Sequence, residues 1–165
     1  MRRWLRASTV SAVVVATALV VVVATAMAGT TQVSGSAVYN EDCTPPEAAG
    51  TAPGDPGTYP PLEMDGSLVG CWYTYVETSK PNPSGTYQET GNELFVGCLN
   101  EDTCGQFTTT YTFTGKFTAS GEEIHGRCQH PLTGGTGDFA GMSGVLQFKD
   151  DVDTGIFYYR GNIKS

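Results

Sequence analysis

The sequence predicts an all-β protein, a small antiparallel barrel of about eight strands. Three observations lead there. Runs with a period of two, rich in Thr, Val, Phe and Tyr, recur after residue 62. Clusters of Gly, Pro, Asn, Asp and Ser separate those runs. No helical stripe of apolar residues follows residue 28. Short strands at this spacing suit a barrel or a sandwich, and a closed barrel exposes no edge strand.

Two segments precede the main run of strands. Residues 1–28 read as an export signal: Arg2, Arg3 and Arg6 form a positive start, Val10–Val23 is apolar, and Ala26-Met27-Ala28 is a small-x-small cleavage site. The competing reading is a membrane anchor. No charged stop-transfer flank follows, and Gly29-Thr30-Thr31-Gln32 begins a polar chain, so no membrane association is expected after cleavage. Arg2-Arg3 resembles a twin-arginine signal, but Arg6 stands where that pattern wants an apolar residue, which favours the general secretory route. Residues 29–61 read as one short strand, Gln32–Tyr39, followed by a disordered linker. Six of the nine prolines fall between Cys43 and Pro61, with Gly and Ala among them.

Residues 62–165 are expected to form the barrel itself. Its clearest strand is Phe107–Phe117, where Phe107, Thr109, Tyr111, Phe113 and Phe117 share one face and Thr108, Thr110, Thr112, Thr114 and Lys116 the other. The further strands are Leu68–Glu77, Thr86–Leu99, Glu122–Gln129, Gly144–Lys149 and Gly155–Ile163. Pro81–Gly85, Ala119–Gly121 and Asp150–Gly155 supply turns between them. The alternation does not say which face is inside.

Charge and cysteines bound the function. Cleavage of the signal would remove Arg2, Arg3 and Arg6 and leave six Lys and Arg against seventeen Asp and Glu, a net charge of −11. Such a surface repels phosphate backbones, so nucleic acid is not an expected partner. All five cysteines lie after residue 28. In an exported chain they are expected to pair. Cys98 and Cys104 bracket a polar turn between two strand-like runs and form the natural bridge. Matching strand positions suggest Cys71 with Cys128, which leaves Cys43 over. Structural zinc is the alternative, but there is no C-x-x-C and neither His flanks paired cysteines, so no metal is assigned.

One motif names a family. Gly134–Gly144 reads G-G-T-G-D-F-A-G-M-S-G between two strand-like runs. Further on, Gly-x-x-x-Phe-Lys-Asp-Asp (Gly144–Asp151) precedes a closing strand that ends Tyr-Arg-Gly-Asn-Ile (Tyr159–Ile163). Together these resemble the allene oxide cyclase and dirigent barrel superfamily, including its small secreted bacterial members. The resemblance spans roughly Leu94–Ile163. It implies a barrel in which this turn folds across one rim with Phe139 plugging that end, and an isomerase- or cyclase-like activity. The family's catalytic carboxylates and tyrosines find no matching positions, so no catalytic residue is carried over.

The remaining chemistry is weighed residue by residue. Gly135-Thr136-Gly137-Asp138-Phe139-Ala140 fits G-x-G-x-x-A, but a β run rather than a helix follows, so a dinucleotide cofactor is not expected and no other cofactor is called for. Asp150, Asp151 and Asp153 lack the twelve-residue calcium spacing and read as a solvated turn. No G-x-S-x-G or H-E-x-x-H occurs. His130, with His125 nearby, is either a general acid or base at a barrel mouth or a hydrogen-bonded turn residue before Pro131. Glu77, Glu89 and Glu93 lie on strands, and any one facing inward is a candidate acid. Strand-borne tyrosines can line a cavity. The expected function is therefore binding of a small apolar or aromatic molecule, with Glu89, Tyr111 and His130 as ligand-binding residues. The alternative is a non-catalytic extracellular or cell-envelope interaction protein, which would fill its barrel with side chains.

Overall fold

The computed structural model describes residues 29–165, and the signal-peptide reading of residues 1–28 lies outside them. Eight strands form a closed antiparallel barrel in chain order: β1 (Thr30–Tyr39), β2 (Leu62–Gly66), β3 (Leu68–Pro81), β4 (Thr86–Leu99), β5 (Thr103–Phe117), β6 (Glu123–Gly137), β7 (Ser143–Asp151) and β8 (Ile156–Lys164). Each strand pairs with its sequence neighbour. β8 closes on β1 from Thr30 against Lys164 to Ala37 against Phe157. Closure leaves no strand as an unpaired edge.

The strand set differs from the sequence expectation in two respects. The first strand is a stave of the barrel, held between β2 and β8, so the barrel begins at Thr30 rather than at Leu62. The strand absent from the reading is β2. Its five residues alternate Leu62 and Met64 inward with Glu63 outward, but that span is too short for a periodic signal.

The Pro-rich segment is a strap rather than a disordered linker. One 3-10 turn (Glu47–Ala49) buries Ala49 against the outer wall, where Cys71, Tyr73, Val96 and Cys98 form a second apolar cluster. This cover explains why β3 buries four residues in a row, Gly70–Tyr73, and β4 five, Phe95–Leu99. Both faces of the wall are shielded there, so alternation disappears.

The strap also settles the disulfides. Cys98 bridges Cys104 as expected, at a Cα–Cα distance of 4.1 Å. Cys71 does not pair with Cys128. It bridges Cys43, Cα–Cα 5.9 Å, because its side chain points outward beneath the strap. Cys128 is the free cysteine, buried among the barrel's interior residues two strands beyond β4. Burial pushes its thiol pKa up, so the group stays protonated.

The interior divides in two. The floor is packed with Met64, Leu68, Phe95, Phe107, Phe139, Leu146 and Ile163, all of them buried. Phe139 is fully buried and meets Phe107 and Phe95 edge-on, with ring centroids 5.1 and 6.1 Å away. The glycines around it serve this plug. A Cβ on Gly135 would lie 2.3 Å from the Phe139 carbonyl oxygen, and Gly137 sits at φ 62° where β6 ends. β6 therefore runs on through Gly134–Gly137, and the reversal is left to residues 138–142. The other end of the barrel is open.

Candidate functional site

The open end holds a cavity of about 980 Å³. Its walls come from β3–β8 and the hairpins β3–β4, β5–β6 and β7–β8, with Tyr39 and Tyr59 at its edge. Trp72, Tyr87, Tyr111, Phe113, Phe148 and Phe157 supply aromatic surface. Glu89, Tyr111 and His130 all line it.

Glu89 is buried on β4 and accepts from three phenols. Tyr111 donates to Oε1 at 2.7 Å, while Tyr87 and Tyr59 donate to Oε2 at 2.6 and 2.8 Å. Burial, then the hydrogen bond to Glu89, raises the pKa of each phenol above its usual value, so all three remain donors. Three donors on one carboxyl group suit a carboxylate anion. Tyr87 and Tyr111 come from the walls themselves. Tyr59 comes from the strap, whose end is tied to β3 by Thr58 N–H donating to the Thr74 carbonyl (2.7 Å) and Val76 N–H donating to Thr58 Oγ1 (3.0 Å).

Four residues deeper on the same face of β4, Glu93 forms a second polar centre. His130 Nδ1 lies 2.5 Å from Glu93 Oε2, and Thr109 donates to the same oxygen at 2.6 Å. The His130 ring stacks on Tyr111 (6.1 Å) and packs edge-on against Trp72 (5.6 Å). It is 4 % exposed, and its Nε2 has no hydrogen-bond partner. Pro131 opens the backbone here. The β5–β6 ladder pairs Thr109 with Leu132 and Thr112 with Gln129 but has no rung between them, since proline cannot donate.

Glu123 and Asp150 form a third centre nearer the mouth. Burial, then the charge of Asp150, raises the Glu123 carboxyl to about 7. Burial raises Asp150 as well.

The structure thus brings Glu89, Tyr111 and His130 to one cavity and adds Glu93, Tyr59, Glu123 and Asp150. Glu77 is exposed and bonds Asn92 instead, accepting at 2.6 Å. Strict alternation could not place Glu123. A register shift at Lys116/Phe117 pairs Phe117 directly with Glu123, leaves Ile124 51 % exposed and turns the carboxylate inward. Tyr59 had no local signal at all, since its place depends on how the strap is tied.

Fold and site together define an eight-stranded antiparallel barrel with a packed floor and a polar-aromatic cavity at one end. Comparison with protein-family models, with curated proteins and with solved structures finds no match.

Proposed function

We propose that this protein is a secreted small-molecule-binding barrel whose ligand carries an apolar or aromatic body. The observation that carries the reading is the cavity of about 980 Å³, aromatic on its walls and provided with convergent polar groups at Glu89, Tyr111 and His130. A concave aromatic-walled space of this size with fixed polar groups is the usual form of a ligand site. It weighs against the alternative, an interaction protein with a side-chain-filled interior. The signal-like Arg2–Ala28 and the two disulfides support secretion. Among the described residues no helix is long and apolar enough to cross a membrane.

The test is native mass spectrometry of protein purified from its own host, together with titration of Nile red, a neutral apolar dye, followed by fluorescence. A co-purifying small molecule or one-to-one dye uptake is expected. Tyr111→Ala should weaken that binding roughly tenfold, and Phe139→Ala, which alters only the floor, should weaken it much less. Protein that carries no ligand and takes up no dye would refute the binding reading.

A further inference from the structure

The charge of the cavity is one-sided. Glu89, Glu93, Glu123 and Asp150 line it, three more carboxylates stand at its rim, and neither Lys nor Arg contributes. Among the described residues no Lys or Arg stands within ion-pairing distance of a carboxylate, and the one such close contact is His130 with Glu93. Glu89 therefore has three neutral phenol donors and no counter-charge. Glu123 and Asp150 face each other with no Lys or Arg beside them; burial raises both carboxyls, and the charge of Asp150 raises Glu123 further. A buried carboxylate without a cation is costly unless a bound partner supplies the opposite charge.

A second, independent feature lies beside it. His130 is more than nine-tenths buried, its ring lines the cavity, and its Nε2 has no partner. Nδ1 is engaged by Glu93 Oε2, which leaves Nε2 as the ring's one unsatisfied polar atom. An unsatisfied ring nitrogen at a cavity wall calls for a polar group on the bound molecule. The walls add the faces of Trp72, Tyr111 and Phe148, which attract cations through their ring quadrupoles. A metal ion does not fit this arrangement. Among the described residues no three His, Cys, Asp or Glu side chains are grouped so that they could hold a metal ion, and the space is far larger than an ion requires.

We propose that the cavity selects an organic cation, a protonated amine carried on an aromatic or alicyclic body, with the ammonium directed to the Glu89–Glu93 side and the apolar body against the aromatic wall. The inference rests on the binding reading above and gives it a substrate class. Organic anions are excluded by the same charges, and neutral molecules of the same shape bind more weakly.

Three probes share one ring system and differ in charge: 2-naphthylmethylammonium, 2-naphthylmethanol and 2-naphthoate. Each is titrated by calorimetry and by the fluorescence of Trp72 at pH 7.5. The ammonium is expected to bind at least tenfold more tightly than the alcohol, and the carboxylate not measurably. Glu89→Gln, with folding checked by circular dichroism, should cut the ammonium-to-alcohol ratio to under about threefold. Glu93→Gln, which removes the other charge on that side, provides the same reading if Glu89→Gln fails to fold. Equal affinity of alcohol and ammonium, or binding of the carboxylate, would overturn the cation assignment while leaving the binding site standing. Binding of none of the three would overturn the site itself.

Discussion

The Cys43–Cys71 bridge is the feature that ties an irregular segment to the barrel, and its removal gives a quantitative expectation. The bridge closes a loop of sequence separation 28. Loop-closure entropy then makes it worth about 3.5 kcal/mol, against about 2 kcal/mol for Cys98–Cys104 with its separation of 6. Cys43→Ala is the suitable change, because Cys43 is only half-buried whereas Cys71 is fully buried and would leave a defect. In urea denaturation the variant should lose about 3.5 kcal/mol, with a somewhat steeper denaturant slope because the unfolded chain expands. Its melting temperature should fall by roughly 10 °C. Cys98→Ala should lose less. Ligand affinity should change little in Cys43→Ala, because Thr58 holds Tyr59 over Glu89 independently of the bridge. A loss under about 1 kcal/mol with an unchanged slope would show that the strap is pinned by packing alone and that the entropy reasoning does not apply to it.

Two further expectations follow from the floor and the mouth. Phe139→Ala removes a fully buried ring from between Phe95 and Phe107 and should destabilise the barrel by about 3–4 kcal/mol in chemical denaturation, with less than about 1 kcal/mol contradicting its role as the plug. Glu123 binds its proton more tightly folded than unfolded, so stability should fall as pH rises from about 4.5 to about 7, where the carboxyl ionises in the fold. Asp150 shifts in the same direction, raised by burial. Glu123→Gln should therefore gain more stability relative to the parent at pH 8 than at pH 5, and a denaturation midpoint with the same pH dependence in both proteins would reject that assignment.

Much of the wall was legible in the residues, for a definite reason. Phe107–Phe117 alternates because one face of β5 meets the interior and the other meets water, and that asymmetry is written locally in side-chain polarity. The hairpins were legible for the same reason, since Pro81–Gly85 and Asp150–Gly155 carry the chemistry that tight turns need. The Cys98–Cys104 bridge is also local, its partners meeting across one hairpin where they pair in register.

The site was only half legible. Glu89, Tyr111 and His130 could be named as candidates from strand position, but their convergence needed the inner face to be known, and period two is symmetric between faces. The sequence by itself determined seven of the eight strands, the turns of three hairpins and the excess of carboxylates. The tertiary structure decided the rest. Closure of the barrel made β1 a stave between β2 and β8, and the tied strap turned Cys71 toward Cys43 and set Tyr59 on Glu89. The register shift at Phe117 swung Glu123 into the mouth. Each of these depends on contacts between residues far apart in the chain, whose free energy of association leaves no periodic trace in any one segment.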